Sequence, residues 1–126
     1  MTGWWNRRLW MRLGVLNALC SVVMAVMAFS LEDPGAQSLV RVASGFQFMH
    51  SMSTFTCATF MNVGAENARY APAPFLAGSL IFSGSLYARA AGLWNGGDLA
   101  LGLGAALMAA GWGVLFVSGW SIDQDR

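Results

Sequence analysis

The side chains in this sequence best equipped for chemistry lie close together: an amide, an imidazole and two hydroxyls at Gln47, His50, Ser51 and Thr54. On a helix these four share one face, and Cys57 continues it. His50 is the sole histidine. An imidazole so placed relays protons, ligates a metal or haem, or stays neutral and hydrogen-bonds. A relay needs a second titratable group, and no acid lies within the apolar stretches around it. A metal needs further ligands; Cys20 and Cys57 form no C-x-x-C pair and suit small buried hydrophobes. Two readings stay open for His50: a neutral ring bonded inside a bundle, or a ring that meets a ligand or a proton. No nucleophile–base pair, carboxylate pair or metal constellation points to an enzyme. Nothing calls for a cofactor.

The elements that must position these groups are four apolar stretches, about 9–31, 42–64, 72–93 and 99–120. A membrane-spanning helix takes about 20 mostly apolar residues, and each stretch is that long. Hydrophobic residues make up 56% of the 126-residue chain and charged residues 10%, well under the ~25% charged residues of soluble domains. The expectation is an all-α membrane protein, one domain over 1–126, with the lipid bilayer as its first partner. A formal net charge of +1 argues against nucleic-acid binding, for which a basic face is the expected footprint.

Amides and hydroxyls in a spanning helix must face the bundle interior, another protein or a wet cavity. Asn17, Ser83, Ser85 and Tyr87 are the nearest partners in the other spans. The candidate intramembrane site is therefore Gln47, His50, Thr54, Ser83 and Tyr87.

Short connections make sequential helices antiparallel neighbours, in an up-down-up-down four-helix bundle. Glu32-Asp33-Pro34-Gly35 reverses the chain after the first span, and residues 65–71 join the second and third. Pro72 and Pro74 suit the first turn of the third span. Asn95-Gly96-Gly97-Asp98 makes the last turn, with Asp98 placed to cap the fourth span. Arg7, Arg8, Arg12, Arg69 and Arg126 fall on one side, Arg41 and Arg89 on the other, which places both termini in the cytoplasm. Ion pairing with Glu32 and Asp33, or snorkelling, accounts for Arg41 and Arg89. Trp4, Trp5, Trp10, Tyr70 and Trp120 are expected at the inner interface, with Trp94 and Tyr87 at the outer one. Trp112 is the exception, deep in the fourth span. The basic, then apolar, N-terminal segment has an apolar core longer than a signal peptide's and is expected to be a span.

Helices in lipid approach closely through small residues at i, i+4 spacing. Ser79/Ser83 and Gly84/Ala88 offer such faces in the third span. Ala105/Ala109/Gly113 and Gly102/Ala106/Ala110 offer them in the fourth, Gly104 and Gly111 are further packing candidates there, and a tight hairpin between these spans is expected.

Phe82-Ser83-Gly84-Ser85-Leu86-Tyr87 resembles the F-S-G-S-L-Y motif of the YgdD-like small four-span inner-membrane proteins, the domain of unknown function 423 family. Gln47-Phe48-Met49-His50 is similar to its Q-x-x-H element. Gly104, then Gly111-Trp112, is similar to its G-G-x-x-x-x-x-G-W pattern, with Ala105 in place of the second Gly. The likeness runs from about Ala43 to Gly119. The family's A-F-G-A-H at the end of the first span is Ala28-Phe29-Ser30-Leu31-Glu32 here. Its acidic residue five before the histidine is Gly45, and its Thr-Pro opening the fourth span is Leu101-Gly102. The resemblance implies a divergent four-span protein of the bacterial inner membrane, and it brings no established chemistry.

Two functions follow as expectations. The first is a non-catalytic accessory or stabilising subunit packed against other membrane protein subunits. The alternative is a small carrier or binder of a quinone, haem-like cofactor, lipid or proton at the His50 face.

Overall fold

A computed structural model describes residues 5–96 and 98–124. Trp4, Gly97 and Arg126, which entered the belt, turn and charge arguments above, lie outside the described residues. The described residues form four α-helices and no strand: α1 (Arg7–Met27), α2 (Pro34–Asn62), α3 (Pro72–Ala90) and α4 (Leu99–Ser118). Single 3₁₀ turns follow α1 (Ala28–Ser30), precede α3 (Glu66–Tyr70) and follow α4 (Gly119–Ser121).

The helix starts follow local chemistry, in two places not as expected. Asn6 caps α1 by accepting from Arg8 N and Leu9 N at 3.0 and 3.2 Å. The second helix begins at Pro34, two turns before the expected Val42. The Asp33 carboxylate takes the Ala36 N–H at 2.7 Å, and Pro34 sits at the first helical position, where its missing N–H costs nothing. Gly35 is consequently helical, and the reversal is made by Leu31–Asp33 alone. Gln37 Nε2 closes it, donating to Ala28 O at 3.0 Å. Asp98 does not cap α4 with its side chain. Its carboxylate instead pairs with Arg89, which also donates to Gly96 O, both at 3.0 Å. Arg41 has a different solution again, its guanidinium lying 5.4 Å from the Phe29 ring centre.

Each helix packs on the next in sequence. Gly14 of α1 faces Ser51, Thr54 and Phe55 of α2. Phe46 and His50 of α2 meet Phe82 and Phe75 of α3. The closest approach is between α3 and α4. A Cβ on Gly78 would lie 2.7 Å from Gly104 O, and one on Gly104 2.7 Å from Phe82 N. Farther along, a Cβ on Gly111 would strike the Phe75 ring at 2.6 Å. This hairpin was expected, and of its expected packing residues Gly104 and Gly111 do lie in the contact while the others do not. Gly84, Ala105, Ala109 and Gly113 lie on exposed surface, and nothing stands within 4 Å of a Cβ added at Gly84 or Gly113. Ala88 is only half-buried. Small residues recur on several faces of α4, and the helical period turns the one bearing Gly104, Met108 and Gly111 to α3. Spacing alone does not distinguish them.

The interior is as polar as the exterior is apolar. The buried apolar residues are chiefly alanines, with Phe75, Val40, Leu86 and Met108 among the few larger ones. Asn17, Ser21, Gln47, His50, Ser51, Thr54, Ser79 and Ser83 are buried beside them. Val26, Phe29, Leu103 and Phe116 face outward, the last two from α4. Trp5 is a further departure: it leaves the expected interfacial belt and packs with Cys57, Ala71 and Phe75, with half-buried Trp10 against them. Of the four helices, α1 with its 3₁₀ turn (Arg7–Ser30) and α4 with its own (Leu99–Ser121) are long and apolar enough to cross a membrane. The 29-residue α2 is long enough, but its polar row makes it less apolar. The 19 residues of α3 reach ~28 Å, short of the expected 72–93.

Replacing Gly104 with Ala is expected to force α3 and α4 apart and cost about 1–3 kcal/mol. Gly113→Ala, on the open face of the same helix, should be neutral or slightly stabilising. Denaturant titration of helical circular dichroism in detergent compares the two.

Candidate functional site

The face that carries the chemistry is the inward face of α2. Gln47 is 4% exposed and His50 3%, so both lie against neighbouring helices. Half of the row satisfies itself. Ser51 Oγ donates to Gln47 O at 2.6 Å and Thr54 Oγ1 to His50 O at 2.7 Å. Ser53 Oγ donates to Met49 O and Cys57 Sγ to Ser53 O, both at 3.0 Å. Hydroxyls bonded to the carbonyl one turn back need no other partner, which is how α2 can bury so many.

Gln47 cannot bond its own helix in this way, and three elements converge on it. Tyr87 OH of α3 donates to Gln47 Oε1 at 2.6 Å. Gln47 Nε2 donates to Asn17 Oδ1 of α1 at 2.7 Å. Asn17 Nδ2 donates to Ser79 Oγ of α3 at 3.2 Å, and Ser79 Oγ donates to Leu76 O at 3.1 Å. The chain of donors runs in one direction through α3, α2, α1 and back to α3. Bonds aligned this way polarise one another. Tyr87 is thus half-buried and turned inward, not held in an outer aromatic belt.

His50 belongs to a second, separate group. The Trp112 indole N–H donates to His50 Nε2 at 3.1 Å. An indole nitrogen only donates, so Nε2 is the bare acceptor and Nδ1 carries the proton. Nδ1 lies 2.7 Å from Phe46 O, a carbonyl that only accepts. Phe75 meets the His50 and Trp112 rings at tilted and edge-on angles, with centroids 5.6 and 5.0 Å away. The imidazole is therefore neutral, in one tautomer, with both nitrogens engaged. Its Nε2 lone pair, the one a metal or a proton would need, is held by the indole.

The five expected site residues do not meet in one place. Gln47 and Tyr87 bond each other. His50 bonds Trp112, and Thr54 bonds its own helix. Ser83 Oγ donates to Ala43 O at 2.7 Å, pinning α3 to α2. Ser85 returns to Ile81 O in its own helix. Asn17 was identifiable as a partner from its amide alone. The role of Trp112 was not drawn from the sequence, although a signal was there: a mid-helix indole N–H needs an acceptor, and the lone histidine offers one.

Gln47→Leu is expected to strand the Tyr87 hydroxyl and Asn17 Oδ1 and to cost about 1–3 kcal/mol, while Tyr87→Phe costs about 0.5–1.5 kcal/mol. The double-mutant cycle in detergent should show coupling above about 0.5 kcal/mol; additive losses would refute the chain. Nitrogen NMR should find His50 protonated on Nδ1 alone, and Trp112→Phe should move the Nε2 resonance and leave that of Nδ1 nearly in place.

No curated protein and no solved structure matches the chain. A family model does, over residues 23–107. It takes in Gln47, His50, the F-S-G-S-L-Y stretch and Gly104. It begins before the expected likeness at Ala43 and stops short of Gly111-Trp112, so Asn17 and Trp112 lie outside it. Since that model, described as a protein of unknown function, matches more than half of the sequence, this chain belongs to the DUF423 family.

Proposed function

We propose that the chain is an integral protein of a bacterial inner membrane whose four helices all span the bilayer, in antiparallel up-down-up-down order with both termini cytoplasmic. Its role in this reading is non-catalytic: an accessory subunit that stabilises a larger membrane complex. The observation that carries the membrane part is the inverted polarity described above. A protein in water buries its apolar side chains and exposes its polar ones; here Val26, Phe29 and Phe116 face out while Gln47, His50 and Asn17 are enclosed.

The accessory role is supported by where unpartnered packing surface remains. Gly102, Ala106 and Ala110 line one outward face of α4, and a Cβ at Gly102 meets nothing within 4 Å. Without a hydrophobic drive inside lipid, such faces let another helix come close enough for dispersion and weak polar contacts to hold it. The carrier reading has less support. It needs Gln47, His50, Thr54, Ser83 and Tyr87 on a shared cavity, and their hydrogen bonds run to other protein atoms.

The test is purification of the tagged chain from its native membrane in mild detergent. The expected outcome is stoichiometric recovery of one larger membrane assembly. An Ala106→Trp substitution should release that assembly by more than tenfold with helical content unchanged. A bundle that elutes alone, or alone with a bound pigment or small molecule, refutes the accessory role.

A further inference from the structure

The two ends of the bundle handle their arginines differently. At the end with Arg41 and Arg89, one guanidinium is paired with Asp98 and the other rests on Phe29. At the opposite end Arg7, Arg8 and Arg12 are exposed on the first turns of α1, and no carboxylate among the described residues pairs with them. Neither α1 nor α2, the two helices that meet there, contains an acidic residue. Two of these three arginines also border a recess. A cleft of about 480 Å³ between α1 and α2 is lined by Arg7, Arg8 and Met11 on one side and Phe55, Ala58 and Thr59 on the other. That volume falls among those of small-molecule clefts.

The lining combines two cations, one hydroxyl and an apolar floor. A small hydrophilic anion would leave Met11, Phe55 and Ala58 wetted. An uncharged lipid would leave both guanidiniums unanswered. A molecule with an anionic phosphate head and a hydrocarbon tail answers both, and a membrane leaflet rich in anionic lipid supplies it at the level where basic residues gather.

We infer that the cleft between the start of α1 and the end of α2 is a binding site for an anionic phospholipid. Arg7 and Arg8 hold the phosphate, and the first part of an acyl chain lies over Met11, Phe55 and Ala58. The inference rests on the membrane reading above but not on the accessory role. It also separates a built site from general attraction of a basic surface. General attraction treats Arg12, one turn further along α1 and absent from the lining, like Arg7 and Arg8. The cleft does not.

The experiment begins with an alkaline carbonate wash of membranes holding the full chain, which should leave it in the pellet. Release into the wash would overturn the membrane reading and this inference with it. The chain is then purified, delipidated and offered phosphatidylglycerol or phosphatidylcholine, and retained lipid is counted by native mass spectrometry. Phosphatidylglycerol should be retained at least tenfold over phosphatidylcholine. Arg7→Gln and Arg8→Gln should each lower its retention about fivefold, and Arg12→Gln should leave it within twofold. Ala58→Phe should lower it with every arginine intact, and glycerophosphate should not displace it. Equal retention of the two lipids, or an Arg12→Gln loss as large as that of Arg7→Gln, overturns the site. Displacement by glycerophosphate would show a soluble-anion site and overturns the lipid assignment. Circular dichroism of the arginine variants, whose side chains are exposed, confirms that each loss is read on a folded bundle.

Discussion

The side-chain amide of Gln47 makes two hydrogen bonds, one through its oxygen and one through its nitrogen, and it sits where water does not reach. Left unmade, each of those bonds would cost about 1–3 kcal/mol. That constraint fixes how three helices are placed. Tyr87 must come from α3 to supply a donor, Asn17 from α1 to supply an acceptor, and Ser79 must then take the Asn17 N–H. None of these helices slides or turns by a residue without breaking two of these bonds. The glycines follow from this. Gly14 lets α1 come near Ser51 and Phe55, one turn from Asn17. An alanine at that site would press a Cβ to 3.2 Å from Ser51 O and push the Asn17 amide away from Gln47.

The fourth helix is joined by a different device. Gly78 and Gly104 set how close α4 comes to α3, and Gly111 leaves room for the Phe75 ring. That ring supports both His50 and Trp112, so the indole N–H arrives on His50 Nε2 with its geometry already fixed. Interfaces of this kind rest on dispersion and a few interhelical hydrogen bonds. The Gly104 contact and the Trp112–His50 bond lie on one face of α4, which explains why its other faces keep their small residues uncovered.

Apolar length and loop chemistry are local properties, and they made four helices and their sequential packing legible in the sequence. The polar row of α2 was legible too, because the period that places Gln47, His50 and Thr54 together is set by the backbone. Which group bonds which was not. Gln47 and His50 lie one turn apart yet answer to different helices, and only the rotation of α1 and α4 about their axes decides that. The same unknown rotation left Ala105, Ala109 and Gly113 standing beside Gly104 and Gly111 as packing candidates, when only the face with Gly104, Met108 and Gly111 meets α3. Asp33 and Asp98 show a smaller form of the difficulty. Each precedes a helix as a cap should, but Arg89 lies within reach of Asp98 and takes its carboxylate, whereas Asp33 remains available to Ala36 N.

A lone histidine enclosed among apolar helices invites a functional reading, and the geometry around His50 argues for a structural one. A metal ligand or proton carrier needs a nitrogen whose lone pair is free or only loosely held. Here an indole occupies Nε2 and a backbone carbonyl holds the Nδ1 proton. Gln47 is engaged at both its amide oxygen and its amide nitrogen, by Tyr87 and Asn17. With these groups bonded to one another, the surfaces proposed to meet a partner lie on the outside of the bundle. Two such places are the small-residue faces of α4 and the exposed arginines beside the α1–α2 cleft. In the proposed reading the first receives another helix and the second an anionic lipid, and the protein would act through what it holds next to itself.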